Sequence, residues 1–342
     1  MSRSLVIGDM HFGVKSNNTI WFEYQNKFLK EQIANAIRDN DIDKIIFLGD
    51  LFDIRYSINQ YIGIEAKKSI TWLIDTFKDK LFLFLAGNHD YYTPNEEQQE
   101  YNAYNLVFGD DFIRCHPNVK FITKDPLLLD EALYLPWYYT ENPDHFDSLL
   151  YNFKFGQEVK SIYCHTDLAI WPGARITALR GCPVYSGHIH NIQIDQENKL
   201  YNLGSACAFT FADVNETKYI YIIEDHKIVD KIANVTTPSF KRFYNEDIFT
   251  ITASDVKDAY IQLCISNSNI NKAQYIEQIK TLKTTYTESN IRVHPIEDSM
   301  STTTFAAEGF NTNISQFIEE NIPEYLTEKY EIIKDKIKEK KW

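Results

Sequence analysis

Short apolar runs alternate with amphipathic stretches between the N-terminus and Val235. Three runs typical of strands, Ser4–Ile7, Lys44–Leu48 and Leu81–Leu85, are separated by segments with helical periodicity, Trp21–Arg38 and Ile62–Phe77. Strand followed by helix at this interval predicts a buried sheet that is at least partly parallel.

The second half of this region is richer in strands. Its strand-like runs, separated by polar turns, are Ser161–Cys164, Pro183–Ser186, Leu200–Leu203 and Tyr219–Glu224. A mixed sheet or a two-sheet αββα sandwich fits this order better than a barrel, so we expect an α/β domain over residues 1–237.

The succession of strand-like and helical segments that forms the first domain ends near Thr236–Ser239. Ala259–Ile265, Lys272–Lys283 and Asn290–Ile296 predict strand, helix and strand, enough for a small α/β capping domain over residues 238–300. Residues 301–342 are predicted to be helical with an interruption at Pro323, and we assign them to partner binding.

Apolar residues recur at helical spacing in that C-terminal segment and predict an apolar stripe. They are Phe317, Ile318, Ile322, Leu326, Tyr330 and Ile333. The stripe can dock a partner or fold back on the first domain. The lysine-rich end from Lys334 favours a partner, because solvated charged helices seldom complete a core.

The composition is that of an ordinary globular protein, with 44% apolar and 24% charged residues. The 35 basic and 48 acidic residues give a net charge of −13, which counts against non-specific nucleic-acid binding unless basic patches or metal ions override it. The five cysteines form no CxxC pair. With no signal peptide and no apolar run of membrane-spanning length, they predict a reducing cytoplasm and no membrane association.

Five of the nine histidines follow strand-like runs directly and are flanked by Gly, Asp or Asn. In open α/β sheets, ligand sites form at the carboxyl ends of the strands. We therefore expect these histidines at one rim of the sheet. They are His11, His89, His165, His188 and His190.

The polar residues at this rim are suited to metal ions. In an extended Asp9-Met10-His11 both polar side chains point the same way, so one ion can take both, and His188-Ile189-His190 repeats that spacing. Asp50 and Asn88 add oxygen ligands. Two Asp, one Asn and four His divide naturally into two sites that share a carboxylate, and mixed N/O ligands without thiolate suit Mn²⁺, Fe²⁺ or Zn²⁺. Paired metals of this kind support in-line displacement at phosphorus.

The ordered blocks of this rim resemble the calcineurin-like metallophosphoesterase superfamily. They are Asp9-x-His11, Gly49-Asp50, Gly87-Asn88-His89-Asp90, His165 and Gly187-His188-x-His190. The resemblance implies an αββα sandwich and two divalent ions, with Mn²⁺ expected and Mg²⁺, Fe²⁺ or Zn²⁺ as alternatives.

A narrower resemblance is to the SbcD family of DNA repair and recombination nuclease subunits. The opening and second blocks of that family look like Gly8–Gly13 and Gly49–Arg55 of this chain. The family's strand before the fourth block resembles Leu135-Pro136-Trp137. Its closing segment resembles Tyr201–Gly204, Ser205, Phe211 and Lys218. The Asp53-Ile54-Arg55 run and the compact length are similar to the recombination endonuclease subunits of T-even phages. This resemblance implies a homodimer and an SbcC-like coiled-coil ATPase partner in the cytoplasm of a bacterium or an infected bacterial cell.

The superfamily resemblance also implies roles for the residues. Asp9, His11, Asp50 and His190 would hold one metal, and Asp50, Asn88, His165 and His188 the other, with Asp50 bridging. His89 would face the scissile phosphate and stabilise the transition state or protonate the leaving oxygen; alternatively, it orients Asp9 or Asp50.

Asp53 stands where archaeal and eukaryotic nucleases of this group carry a second histidine, and SbcD-like proteins also have Asp there. Its carboxylate can orient His89 or a water at the metals, or cap the following helix.

Basic residues that could contact DNA are few. They are Arg55, Lys241 and Arg242, with the pairs Lys67-Lys68 and Arg175-Arg180 as further candidates. The expected activity is that of a Mn²⁺-dependent DNA exonuclease and endonuclease in double-strand break processing. The alternatives are a small-molecule phosphodiesterase or phosphatase on the same dinuclear core, or an inactive scaffold.

Overall fold

A computed structural model of the chain describes residues 2–53, 57–93, 100–141, 145, 148, 152–155, 157–171, 181–214, 216–286 and 290–297. Arg55, Arg175, Arg180 and the C-terminal segment with its apolar stripe lie outside these residues. In the described part of the chain, no helix is both long and apolar enough to cross a membrane.

The first sheet is built around four parallel strands that alternate with helices. Its order is β12-β11-β1-β2-β3-β4, with β11 antiparallel to β1 and β12 antiparallel to β11. The strands are β1 Arg3–Ile7, β2 Lys44–Phe47, β3 Leu81–Leu85, β4 Val119–Ile122, β11 Tyr219–Glu224 and β12 Lys227–Ala233.

The second sheet has the order β5-β6-β7-β8-β10-β9, and β6, β7, β8 and β10 are parallel. Its strands are β5 Leu127–Leu129, β6 Ala132–Leu135, β7 Ser161–His165, β8 Val184–Gly187, β9 Gln193–Asp195 and β10 Leu200–Asn202. A row of tyrosines crosses it in register, Tyr134, Tyr163, Tyr185 and Tyr201, with successive ring centroids 5.1, 5.4 and 5.1 Å apart.

The helices vary greatly in length. The first helical stretch runs from α1, Thr19–Lys27, through the π-helical Phe28–Ile33 into α2, Ala34–Asp39. The others are α3 Gln60–Thr76, α4 Ala103–Val107, α5 Asp110–Cys115, α6 Trp137–Glu141, α7 Ala253–Val256, α8 Asn267–Ile270 and α9 Ala273–Thr285.

Side chains that alternate in direction along each strand pack into different layers of the domain. On β1, Leu5 and Ile7 pack toward the helices whereas Val6 packs toward the second sheet, where it meets the tyrosine row. The outer face of the second sheet packs against Trp171 and other apolar side chains of its flanking segments. The expected αββα sandwich is therefore confirmed.

A third, three-stranded sheet follows, β13 Ser239–Tyr244, β14 Ala259–Ser266 and β15 Asn290–Ile296, all parallel. Its odd-numbered β14 residues, such as Ile261 and Leu263, pack against α9 through Tyr275 and Leu282. The sheet lies within predicted residues 238–300. The pattern had predicted strand, helix and strand there, and the structure adds β13, which pairs with β14.

Candidate metal centre

The structure brings the predicted rim residues together where the two sheets meet. Asp9 and His11 follow β1, Asp50 follows β2, Asn88 and His89 follow β3, His165 ends β7, and His188 and His190 follow β8. Parallel strands end on the same edge of a sheet, which explains how residues distant in sequence become neighbours.

One group of donors is formed by Asp9, His11 and His190. The Nε2 atoms of His11 and His190 are 3.0 Å apart, and Asp9 Oδ2 lies 3.6 Å from His190 Nε2 and 4.0 Å from His11 Nε2. Three ligand atoms thus converge on one small volume.

A second group surrounds the amide oxygen of Asn88. Asn88 Oδ1 lies 3.1 Å from His165 Nε2 and 2.9 Å from His188 Nδ1. Asp50 Oδ2 completes this group, 3.3 Å from His165 Nε2.

The carboxylate of Asp50 lies between the two groups. Its Oδ2 is also 3.7 Å from His11 Nε2, while its Oδ1 accepts a hydrogen bond from the backbone N–H of His89 at 2.8 Å. The bond to Oδ1 holds the carboxylate so that Oδ2 faces both groups, which is the position that a bridging ligand requires.

The donor chemistry fits two divalent ions. Two imidazole nitrogens 3.0 Å apart can share at most one proton between them, whereas one cation can accept both lone pairs. Asp9 and Asp50 are almost completely buried, and buried carboxylates need a nearby positive charge. Imidazole with carboxylate and amide oxygens suits ions of the Mn²⁺, Fe²⁺ and Zn²⁺ type.

The protonation states of the histidines depend on the same carboxylates. Burial lowers the pKa of His165, but the charges of Asp50 and Asp9 outweigh it and raise that pKa to about 9. Burial lowers the pKa values of His188 and His190, and the nearby charges of His165 and His11 respectively add to the effect. His188 and His190 are therefore neutral at pH 7 and ready to bind metal, whereas His165 must exchange a proton for the ion.

Hydrogen bonds outside the ligand set orient the ligands. His165 Nδ1 lies 2.9 Å from the Leu48 carbonyl, which fixes the tautomer that leaves Nε2 toward Asp50 and Asn88. The Gln25 amide donates to the carbonyls of Met10 and His11. The buried Lys218 ammonium donates to the His190 carbonyl at 2.8 Å and pairs with Asp213 and Glu216, 2.7 and 2.5 Å away.

Two glycines leave room for this packing. A Cβ on Gly49 would lie 2.4 Å from His165 Nδ1, and one on Gly87 would lie 2.2 Å from Asp50 Oδ1.

Three proposed ligands, His11, Asp50 and His188, have positive φ angles of 50°, 48° and 80°. Non-glycine residues rarely adopt this backbone conformation outside sites where the surroundings impose it.

Asp53 lies against His89. Its Oδ1 is 2.9 Å from His89 Nδ1 and 3.6 Å from His11 Nδ1. Burial raises the pKa of Asp53, but the hydrogen bonds to the two histidines outweigh it and hold that pKa well below its ordinary value. Of the alternatives for Asp53, this geometry matches the orientation of His89, whereas the following helix α3 is capped by Asn59.

Asp90 is a second carboxyl group behind the ligands. Its oxygens accept from the backbone N–H groups of Phe52 and Gly87 at 3.1 and 2.9 Å, so it ties the loop after β2 to the loop after β3. Burial, followed by the charge of Asp50, raises its pKa to about 7.

The basic DNA-contact candidates that the structure describes are already bonded to protein. Lys241 Nζ lies 3.3 Å from Asp255, and Arg242 donates to Gln262 at 2.8 Å and to the Phe211 carbonyl at 3.1 Å. Lys68 pairs with Glu65 at 2.7 Å, and Lys67 donates to the Phe108 carbonyl at 3.1 Å. Their role in DNA binding stays a prediction.

Sequence reasoning missed several residues of the site. Gln25 is an inward-facing position of α1, and Phe209 stacks edge-on against His11 and His190 with ring centroids 5.2 and 5.6 Å away. Only their tertiary contacts identify them. Lys218 was noted in the closing segment, but the pattern gave no role for it.

Comparison with known proteins agrees with this geometry. The model of one family, described as calcineurin-like phosphoesterase, matches residues 2–192, which is more than half of the chain and covers every proposed ligand. A search of curated proteins found no match.

Proposed function

The chain belongs to the calcineurin-like phosphoesterase family, and we propose that it is a DNA nuclease of the SbcD type that works with an SbcC-like ATPase. The family and the candidate dinuclear centre support metal-dependent hydrolysis of phosphoesters. DNA as the substrate, the subfamily and the ATPase partner are the proposed part.

The residues of this chain have distinct tasks in such a reaction. Two divalent ions held by the Asp50-bridged ligands would act as Lewis acids on the phosphoryl group. Asp53 stays an anion and holds His89 through Nδ1, so the proton for a leaving oxygen would come from Nε2.

The observation that carries the nuclease proposal is the third sheet beside the metal centre. Trp21 stacks on Phe240 and Tyr260 of that sheet, with ring centroids 6.2 and 5.5 Å away, and its ring centroid lies 6.1 Å from that of Phe209. Since Phe209 touches His11 and His190, the additional sheet borders the site. A substrate as long as DNA can use such a surface, whereas a small phosphate ester has no need of it.

The remaining expectations complete the proposal. Mn²⁺ is the expected ion, with Mg²⁺, Fe²⁺ and Zn²⁺ as alternatives, and a homodimer in the cytoplasm is expected from the resemblance to SbcD. Domain limits at residues 237 and 300 are part of the same proposal.

The substrate class can be tested directly with purified protein and Mn²⁺. We expect hydrolysis of bis-p-nitrophenyl phosphate and of linear duplex and single-stranded DNA, with little turnover of p-nitrophenyl phosphate or cyclic nucleotides. His89→Ala serves as the control for a contaminating nuclease. Hydrolysis of the small esters or cyclic nucleotides without DNA cleavage would favour the small-molecule phosphodiesterase.

Removal of residues 311–342 tests the ATPase partner. The truncated chain should keep activity on bis-p-nitrophenyl phosphate and lose both co-purification with the ATPase and ATP stimulation on duplex DNA. Unfolding of the truncated chain, or undiminished binding to the ATPase, would contradict this assignment.

A further inference from the structure

Three polar residues stand in one row across the third sheet. Arg242 on β13 is in register with Gln262 on β14, which is in register with Arg292 on β15. Residues that are partners across strands share a face of the sheet. Arg242 donates through Nε to Gln262 Oε1 at 2.8 Å, so the first two members of the row are in contact.

This face is turned toward the phosphoesterase sandwich. Phe240 and Tyr260, two residues before Arg242 and Gln262, are the rings that stack on Trp21. Arg242 Nη2 donates to the Phe211 carbonyl at 3.1 Å, two residues beyond the Phe209 ring that contacts His11 and His190. The row therefore lies close to the metal centre, on the opposite side of the sheet from α9.

Lys15 reaches the same face from the sandwich. It belongs to the left-handed turn Val14–Asn17, four residues after His11, and its Nζ lies 5.5 Å from the centre of the Phe240 ring. Lys15 and Arg292 are both exposed. Burial lowers the pKa of Lys15 and the charge of Arg292 lowers it further, which places the two cations within electrostatic reach of each other.

Across the described residues, neither Lys15, Arg242 nor Arg292 forms an ion pair with a carboxylate, whereas Lys44, Lys80 and Lys160, for example, do. The protein carries a net charge of −13, so acidic partners are abundant. The charges of Asp213 and Asp53 offset part of the repulsion between Lys15 and Arg292, and an anionic ligand between the two cations would remove more of it.

We propose that Lys15 and Arg292 bind backbone phosphates of the nucleic-acid strand whose scissile phosphodiester lies at the metal centre, with Arg242 reinforcing the positive field behind them. This inference rests on the proposed nuclease function. Both exposed cations can reach a polyanion, while the neutral contacts of Arg242 hold the row against the loop next to the metal ligands. A ligand with repeated phosphates fits the site, whereas a single phosphodiester occupies only the metal centre.

The test separates long from short substrates. Lys15→Gln, Arg292→Gln and the double variant are compared with wild type for Mn²⁺-dependent hydrolysis of bis-p-nitrophenyl phosphate and for binding and cleavage of a single-stranded 12-mer. Binding is measured by fluorescence anisotropy with Ca²⁺ in place of Mn²⁺ over a series of salt concentrations. Lys280→Gln removes one positive charge from α9, on the opposite side of the same sheet, and is the matched control.

We expect the double variant to bind the 12-mer about tenfold more weakly than wild type. The negative slope of log affinity against log salt should become about 1.4 less steep, because each phosphate contact to a single strand contributes about 0.7. Hydrolysis of bis-p-nitrophenyl phosphate should stay within about twofold of wild type, as should every property of Lys280→Gln.

Two outcomes would overturn the inference: unchanged 12-mer affinity and salt slope in the double variant, or an equal loss on both substrates. Failure of the nuclease proposal itself has a different signature, since wild type would then hydrolyse bis-p-nitrophenyl phosphate and leave the 12-mer uncut.

Discussion

Replacing Asp53 by Asn tests whether the carboxylate acts through His89. The substitution keeps the shape of the side chain and removes the charge that lies 2.9 Å from His89 Nδ1. A hydrogen bond to a charged group is worth about 1.5–3 kcal/mol, and each 1.4 kcal/mol or so is tenfold in rate, so turnover should fall by about 10- to 100-fold. The side chains of His89 and Asp53 are 30% and 28% exposed, and solvent screening favours the lower part of that range.

The assay compares two leaving groups. Cleavage of an oligonucleotide expels a poor leaving group that needs a proton, whereas bis-p-nitrophenyl phosphate expels a stable phenolate. The loss in kcat with Mn²⁺ should therefore be larger on the oligonucleotide. Asp230→Asn, at an exposed position on β12, is the matched control and should behave as wild type.

Metal content must be measured in the same samples, because Asp53 also lies 3.6 Å from His11 Nδ1. An equal loss on both substrates, or a fall in bound Mn²⁺ that accounts for the lost activity, would refute the role of Asp53 through His89.

Three other substitutions address the centre itself. Asp50→Asn should reduce bound metal below two ions per chain, measured by mass spectrometry of the metal content, because a neutral amide bridges two dications poorly; two full ions with normal turnover would contradict the bridge. His89→Ala should keep both ions and DNA affinity while kcat falls about 10²–10⁴-fold, and a loss of metal would instead make His89 a ligand. Gly49→Ala should displace His165 and so lower both the melting temperature and the metal occupancy, with a loss of about 1–3 kcal/mol in the free energy of unfolding. Wild-type values for both would disprove the close contact.

Much of the fold follows from local patterns in the sequence. The runs Leu81–Leu85, Tyr219–Glu224 and Asn290–Ile296 are strands with the bounds that their apolar pattern predicts. The rim residues gather because parallel strands deliver their carboxyl ends to one edge, so strand-end motifs were sufficient to bring Asp50 and His165 together.

Other features depend on contacts between distant residues and had no local signal. β13 carries Lys241 and Arg242 and gave no distinctive run, because its burial comes from pairing with β14 and stacking on Trp21. The proximity of Lys15 to Arg292 likewise arises only when the third sheet packs against the sandwich. Helix α1 was predicted, but the inward position of Gln25 is a property of its packing.

The tyrosine row of the second sheet depends on the register in which its parallel strands pair. Parallel strands can mispair by one residue, and such a slip turns every side chain to the opposite face. Tyr163 and Tyr185 stack only in the native pairing, which also sets His165 opposite Gly187. A slipped pairing would move the rings out of the layer between the sheets and separate His165 from His188. The stacked rings and the alignment of two proposed metal ligands therefore depend on the same strand register, so a change that weakens the tyrosine stack also weakens the alignment of His165 with His188.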